Sequence, residues 1–201
     1  TAVQSALFTR RGTERIVRAA FEAAAEREGH LTSITKSNAQ AHSMVFWDDI
    51  VEEVSAEFPS VDVERLLVDA AAMDLIRRPH EFDVVVASNL FGDILTDIGA
   101  QITGSMGLAP SGNVHPGDAN PSMFEPVHGS APDIVGDGVA NPLATVLSWS
   151  MLFEDLGETA AGDALWSAVV DQLAEESAPR TPDIGGTAGT EDVVADLRTR
   201  L

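Results

Sequence analysis

The stretch Asp83-Val84-Val85-Val86-Ala87-Ser88-Asn89-Leu90-Phe91-Gly92-Asp93-Ile94-Leu95-Thr96-Asp97 decides how this chain is read. Its first half is a short β-branched apolar run, the pattern of a strand buried on both faces. After Gly92 the pattern turns helical, with Ile94, Leu95 and Ile98 spaced to bury one stripe. Asp93 and Asp97 are four apart, so their carboxylates lie on one helical face, one turn from each other. Like charges at that spacing repel unless a cation sits between them. Two carboxylates at the mouth of a buried strand point to a hard divalent cation with oxygen ligands, Mg²⁺ or Mn²⁺. The plainer alternative is a solvated helix face in a very acidic protein, and spacing alone leaves both open.

The chain is very acidic. Its 201 residues carry a formal net charge of −20, which argues against nucleic acid and anionic membranes as partners. The length allows one domain or two small ones, and 44% hydrophobic residues are enough for a core. No run of 18 apolar residues and no signal-peptide pattern occurs, so a cytoplasmic protein is expected. The absence of cysteine removes disulfides and thiolate chemistry. Of the 12 basic residues, Lys36 is the only lysine; the rest are arginine. Many acids with almost no lysine is the surface expected of a salt-adapted, halophilic protein, because salt screens the self-repulsion. A GC-rich genome would explain the lysine loss but not the acid excess.

Outward from the opening stretch, strands alternate with helices, so the fold class is α/β. Residues 2–9 alternate weakly and predict a strand. Residues 11–28 predict a helix with Ile16, Val17, Ala20, Phe21 and Ala24 on one stripe, ended by Gly29. A short strand over 31–35 follows. Residues 43–58 predict an amphipathic helix whose seam runs Met44, Trp47, Val51, Val54, Phe58, either core or the face of a second helix. Pro59 breaks it, and 61–68 is extended. Asp69 stands before a strong helix former and suits an N-cap. Residues 104–120 and 128–142 are rich in glycine and proline and predict loops, the second long enough for a binding loop. Between them, 122–126 predicts a strand. Pro142 opens a helix apolar almost all round, expected to be central and buried. A helix over 160–176 and a last one capped by Thr190 close the chain.

Taken together, several segments resemble the β-decarboxylating 3-hydroxyacid dehydrogenases, the isocitrate/isopropylmalate/tartrate dehydrogenase family. They are Thr35-Lys36-Ser37-Asn38, Val68-Asp69-Ala70-Ala71-Ala72-Met73, the run from Asn89 to Asp97, Phe124-Glu125-Pro126-Val127-His128-Gly129-Ser130-Ala131-Pro132-Asp133-Ile134, Ala140-Asn141-Pro142 and Thr181-Pro182-Asp183. They stand in the family's order. The resemblance implies an isopropylmalate-dehydrogenase-like α/β fold that is incomplete at its N-terminal side. Residues 1–104 would be part of the substrate-binding and dimerisation domain, and 105–201 the C-terminal part of the cofactor-binding domain.

It also implies an activity: oxidation of a 2-hydroxy dicarboxylic acid by NAD, followed by loss of CO₂, with a divalent metal as Lewis acid. Asp93, Asp97 and Asp69 match the family's metal-site acids, Asp69 reaching in from the second subunit of a homodimer. Lys36 matches the catalytic lysine, also donated across the dimer; a partly desolvated lysine beside a metal suits proton transfer. Segment 128–134 resembles the adenosine-binding loop, where Gly129, Ser130 and Ala131 with His128 and Ile134 let the cofactor approach closely. Asp133 matches the acid that binds the ribose hydroxyls and would repel a 2′-phosphate, hence NAD over NADP. Asn141 would read the adenine edge. The plainer reading of Asp133 and Asn141 is as turn-forming residues before helices.

Two departures stand out. The family's substrate arginines and catalytic tyrosine lie upstream of anything here, and the chain has no tyrosine. The 201 residues alone are therefore expected to be inactive, a piece of a larger enzyme; the rival is a non-catalytic dimerisation and nucleotide-binding module. Segments 35–38, 47–48 and 87–91 look most like the tartrate/D-malate branch, whereas 183–190 looks more like the 3-isopropylmalate branch.

Overall fold

The computed structural model describes residues 1–115 and 120–201. They form two compact units, Thr1–Ile102 and Thr103–Leu201. The expected division fell after residue 104.

Unit 1 contains three strands, β1 (His30–Thr35), β2 (Asp62–Leu67) and β3 (Val84–Val86), and four helices, α1 (Arg10–Ala25), α2 (Ser43–Ser55), α3 (Val68–Arg77) and α4 (Asn89–Ile102). The sheet is parallel with order β2-β1-β3. Parallel neighbours need crossovers, and α2 and α3 supply them. In register, Leu31 faces Val63 on one side and Val84 on the other, and Thr35 faces Leu67. Central β1 is buried from Leu31 to Thr35. Its polar side chains need internal partners: Ser33 Oγ accepts from Trp47 Nε1 at 3.2 Å, while Thr32 Oγ1 has none.

Val17, Phe21 and Ala24 of α1 pack with Met44, Trp47, Val51 and Val54 of α2 in the core of this unit. The regular seam on α2 is therefore core. Phe21 also stacks on Phe58 with ring centroids 5.2 Å apart. Burying a side chain of this size contributes roughly 1.5–3 kcal/mol.

Several expectations are corrected. Residues 2–9 are not a strand; among the described residues no strand pairs with them, and Thr9 instead caps α1, accepting from the Gly12 N–H at 3.2 Å. The strand before Asn89 is only three residues long and lies at the sheet edge, which leaves Val85 41% exposed. Helix α4 starts at Asn89, not after Gly92, and its buried residues are Phe91, Leu95 and Ala100. Ile94 points out, as does Ile16 on α1. Helix α2 stops at Ser55, before Phe58. Asp69 is not the cap of α3: Leu67 holds that position and Asp69 sits in the first turn, where the helix dipole favours an acid.

Unit 2 pairs β4 (Pro110–Asn113) with β5 (Met123–Pro126), antiparallel, and carries α5 (Leu143–Asp155), α6 (Thr159–Ala174) and α7 (Thr190–Leu197). Strand β4 and a 3₁₀ turn at Met106–Leu108 correct the expected loop over 104–120; residues 116–119 of that loop lie outside the described residues. Gly112 is required by close packing, since a Cβ there would stand 2.9 Å from the Phe124 ring. Leu143, Leu147, Ala168, Val169, Val193 and Leu197 form the core. Helix α5 is not buried all round: Trp149 on its outer face is 54% exposed. Thr190 is the first residue of α7 rather than its cap; the carboxylate of Asp192 accepts from the Gly189 N–H at 3.0 Å. Among the described residues no helix is long and apolar enough to cross a membrane.

Candidate active site

At the carboxyl ends of β1 and β2 the chain brings two predicted residues together. Lys36 follows β1 directly, and Asp69 opens the helix that follows β2. Because Thr35 and Leu67 are register partners, the residues just beyond them emerge side by side. Lys36 Nζ donates to Asp69 Oδ1 in a close ion pair. The hydrogen bond from Lys36 holds the Asp69 carboxyl below the usual carboxylate range. The backbone around Lys36 is itself organised: Ala39 and Gln40 N–H groups both donate to its carbonyl. In open parallel sheets the carboxyl ends of the strands are where ligands bind.

Asp93 and Asp97 sit one turn apart on α4, both exposed. Neither carboxylate has an ion-pair partner among the described residues. Thr96 between them turns its hydroxyl back to the carbonyls of Gly92 and Asp93, at 2.9 and 3.0 Å. The two carboxylates are hard oxygen donors suited to Mg²⁺ or Mn²⁺, yet no group of three His, Cys, Asp or Glu gathers among the described residues. One chain thus presents an acid pair and a Lys–Asp pair, and does not assemble the three acids into one centre.

A cavity of about 690 Å³ in the same unit is lined by Leu7, Phe8, Ile16, Trp47 and the 87–91 segment. None of the expected site residues lines it.

Unit 2 holds a cavity of about 670 Å³ whose walls come from three segments: residues 105–107, the 128–141 loop, and the 182–191 region. Of the predicted cofactor residues, His128, Gly129, Ser130, Ala131, Ile134 and Asn141 all line it. Asp133 does not; it lies exposed in the 3₁₀ turn Pro132–Ile134. Ala131, before that turn, has φ 43°, in the left-handed region that costs a non-glycine residue roughly 1 kcal/mol or more. Strain held at a cavity lip is a mark of a binding loop. His128 Nδ1 lies 3.0 Å from the Gly129 carbonyl, which places its proton on Nδ1. The loop is tied to α7, since Thr190 donates through its N–H to the Gly138 carbonyl at 2.8 Å and through its hydroxyl to the Ala140 carbonyl.

Asn141 is held on both sides. Its Oδ1 accepts from the Leu143 N–H at 3.0 Å, the turn-forming role at the start of α5. Its Nδ2 donates to Asp183 Oδ2 at 2.9 Å. The same Asp183 oxygen accepts from Ser105 Oγ, which in turn accepts from the Gly107 N–H at 2.9 Å. Burial pushes the Asp183 carboxyl up, and hydrogen bonds from donors that include Ser105 and Asn141 outweigh that, leaving it below the usual range. Gly107 is packed against this group: a Cβ there would come within 2.7 Å of both Asn141 Cβ and Asp183 Oδ2. Ser105, Gly107, Asp183 and Glu191 were not anticipated as cavity residues. The Thr181-Pro182-Asp183 segment was the available signal, since it stood out as a family segment without a role. The cavity has no Lys or Arg in its wall and carries two acids, Asp183 and Glu191.

Residues 1–197 match the family described as isocitrate/isopropylmalate dehydrogenase. The chain belongs to the isocitrate/isopropylmalate dehydrogenase family. It is 45% identical over 200 residues to a probable tartrate dehydrogenase/decarboxylase of Bacillus subtilis (strain 168), covering 100% of this chain and 56% of the relative. It is 47% identical over 201 residues to a 3-isopropylmalate dehydrogenase of Thermobifida fusca (strain YX), covering 55% of that relative. Among solved structures, the isocitrate dehydrogenase of Methylococcus capsulatus superposes with a TM-score of 0.92 at 35% identity, over 98% of this chain and 57% of that one. The α/β fold expected from the sequence is therefore that of the dehydrogenase family, and the chain spans little more than half the length of the curated relatives it matches.

Proposed function

We propose that the protein carries out NAD-dependent, divalent-metal-dependent oxidative decarboxylation of a 2-hydroxy dicarboxylic acid, either 3-isopropylmalate or tartrate/D-malate. We place it in the cytoplasm, as a homodimer whose active sites are shared between subunits. The observation that carries this reading is the Lys36–Asp69 pair at the carboxyl ends of adjacent parallel strands, in a chain with a single lysine.

Asp93 and Asp97 of one subunit, with Asp69 of the other, would hold Mg²⁺ or Mn²⁺. When bound, the metal supplies Lewis-acid stabilisation of the negative charge that develops on the substrate oxygen. Lys36, once it has passed its own proton to solvent, takes the hydroxyl proton as a neutral amine. Its flexible stem and single ammonium suit proton transfer in a way an arginine does not. Asp69 holds the ammonium form of Lys36, before and after the transfer, at the strand end. The unit 2 cavity binds the adenosine end of the dinucleotide. Among its described lining residues are the acids Asp183 and Glu191 and no Lys or Arg, which supports NAD over NADP, because a 2′-phosphate would meet carboxylates rather than a fixed cation there.

In one chain Lys36 and Asp69 meet each other, and among the described residues no third acid joins Asp93 and Asp97; a shared site would bring Asp69 of the other subunit to them. The test is complementation in the full-length protein. Lys36→Ala and Asp93→Asn are each inactive alone. Mixed with subunit exchange, about half the dimers are heterodimers, each with one intact site of two, so activity returns to about a quarter of wild type. Demonstrated exchange with no recovery would mean that the site is built within one chain. The lack of any tyrosine favours a second reading for the 201-residue chain by itself, a non-catalytic dimerisation and nucleotide-binding module. Turnover of D-malate, tartrate or 3-isopropylmalate with NAD and Mn²⁺ separates the two.

A further inference from the structure

We infer that Asp183 is a positioning residue for nucleotide recognition: it fixes the orientation of the Asn141 amide at the wall of the unit 2 cavity. This rests on the proposed reading of that cavity as the adenosine site and of Asn141 as the residue that meets the adenine edge.

An asparagine amide has a donor end and an acceptor end of nearly the same shape, so which end faces a ligand depends on its neighbours. Here both neighbours choose the same way. The Leu143 N–H is a donor and takes Oδ1 at 3.0 Å; Asp183 Oδ2 is an acceptor and takes Nδ2 at 2.9 Å. One Nδ2 hydrogen and one Oδ1 lone pair remain, in fixed places. Adenine offers N1 as an acceptor and N6 as a donor; hypoxanthine offers a donor and an acceptor at the same two positions. An amide that cannot turn over distinguishes the two bases, and one that turns freely does not. Of the two restraints, the bond to an ionised carboxylate is the stronger.

Asp183 is also built into place rather than loosely available. Its Oδ2 carries a second donor, Ser105 Oγ, itself tied to the Gly107 N–H. Gly107 packs against both Asp183 and Asn141 too closely for any Cβ. The network joins the segment before β4, the residue two before α5, and the loop after α6. Asn141 is 9% exposed, so little water competes for its amide.

The test uses the full-length protein and two probes, NAD and nicotinamide hypoxanthine dinucleotide, with dissociation constants from calorimetry. Wild type binds NAD the more tightly. Asn141→Ala abolishes the preference. Asp183→Asn, whose new amide offers either a donor or an acceptor to Asn141, lowers the preference at least about tenfold. The double variant is no worse than Asn141→Ala alone. Asp183→Glu, which keeps the charge but moves the acceptor, covers the case in which Asp183→Asn does not fold, and is expected to lower the preference likewise. A preference unchanged in the folded Asp183 variant but lost in Asn141→Ala overturns the positioning role and leaves the cofactor site standing. Wild type that binds neither dinucleotide overturns the cofactor reading itself, and the inference with it.

Discussion

Gly186→Ala tests whether the loop that carries Asp183 is held as tightly as its geometry implies. A Cβ at residue 186 would stand 1.9 Å from the Arg180 carbonyl oxygen, 2.4 Å from its carbon and 2.6 Å from the Arg180 Cβ. Ordinary contact begins near 3.4 Å, so the two backbone stretches must separate by roughly 1.5 Å. That movement breaks two hydrogen bonds: Ala188 N–H to the Arg180 carbonyl at 2.9 Å, and Gly186 N–H to the Thr181 carbonyl at 3.0 Å. Each is worth about 1 kcal/mol net, and forced overpacking adds about 1–3 kcal/mol. The expected loss is about 3–5 kcal/mol, a large part of the stability of a typical domain. Gly185→Ala is the internal control. Gly185 has φ +83° and open space around its Cβ position, so only backbone strain opposes the change, about 1–2 kcal/mol. Urea unfolding followed by circular dichroism gives both values, and hydrogen exchange locates the loosening at residues 180–188. The larger effect should also weaken NAD binding, because the segment carries Asp183 into the cavity. Gly186→Ala costing no more than Gly185→Ala would show that the close approach is not a feature of the folded protein.

Phe21→Ala removes a fully buried ring stacked on Phe58 and should cost about 3–5 kcal/mol by the same urea assay; a loss under about 1 kcal/mol would mean the α1–α2 core collapses around the gap. Asp69, Asp83, Asp183 and Asp196 all have folded-state carboxyls below the usual range, so their contribution is complete above the unfolded value near 3.9 and is lost as pH falls through the folded values. Acid unfolding at and below about pH 4 is therefore expected, and a melting temperature flat from pH 6 to pH 3 would contradict it. Raising KCl from about 0.1 to 2 M shortens the screening length from about 10 Å to under 3 Å, which relieves the repulsion of a −20 chain more than it weakens exposed pairs such as Arg10–Glu53. The melting temperature should rise, and indifference to molar KCl would end the salt-adaptation reading.

Much of this was legible in the sequence because periodicity reports burial directly. The α2 seam and the central strand follow from it without help. The errors have physical causes. Val84 to Val86 looked like a strand buried on both faces because β-branched runs do, but burial in a sheet is a tertiary fact, and Val85 is 41% exposed. Ile94 and Trp149 are apolar yet exposed, and composition cannot say which apolar residues a surface leaves uncovered. Strand β4, with the sequence Pro-Ser-Gly-Asn, has no strand propensity; pairing with β5 and packing against Phe124 make it one. For the candidate site, the motifs named single residues but not their partners. No spacing rule connects Ser105 to Asp183 or Asn141 to Asp183, which come from distant parts of the chain.

The distribution of cations ties composition to the proposed chemistry. Arginines do the fixed electrostatic work: Arg18 meets Glu57, Arg27 meets Asp83, Arg78 bridges Asp74, Glu64 and Glu81, and Arg200 joins Glu175 to Asp196. Arg180 donates to the Leu173 carbonyl instead. A guanidinium suits these places because it stays charged at any working pH and its planar fork matches a carboxylate. A pressure that replaces lysine by arginine meets no resistance there. Position 36 is different on the proposed reading, because its group must release and regain a proton beside a substrate hydroxyl. A guanidinium cannot do that, whereas an ammonium on a flexible stem can. Charge alone would have been served by arginine opposite Asp69, as it is opposite Asp83. On that reading the one lysine stands where a permanently charged cation would hold the ion pair and lose the reaction.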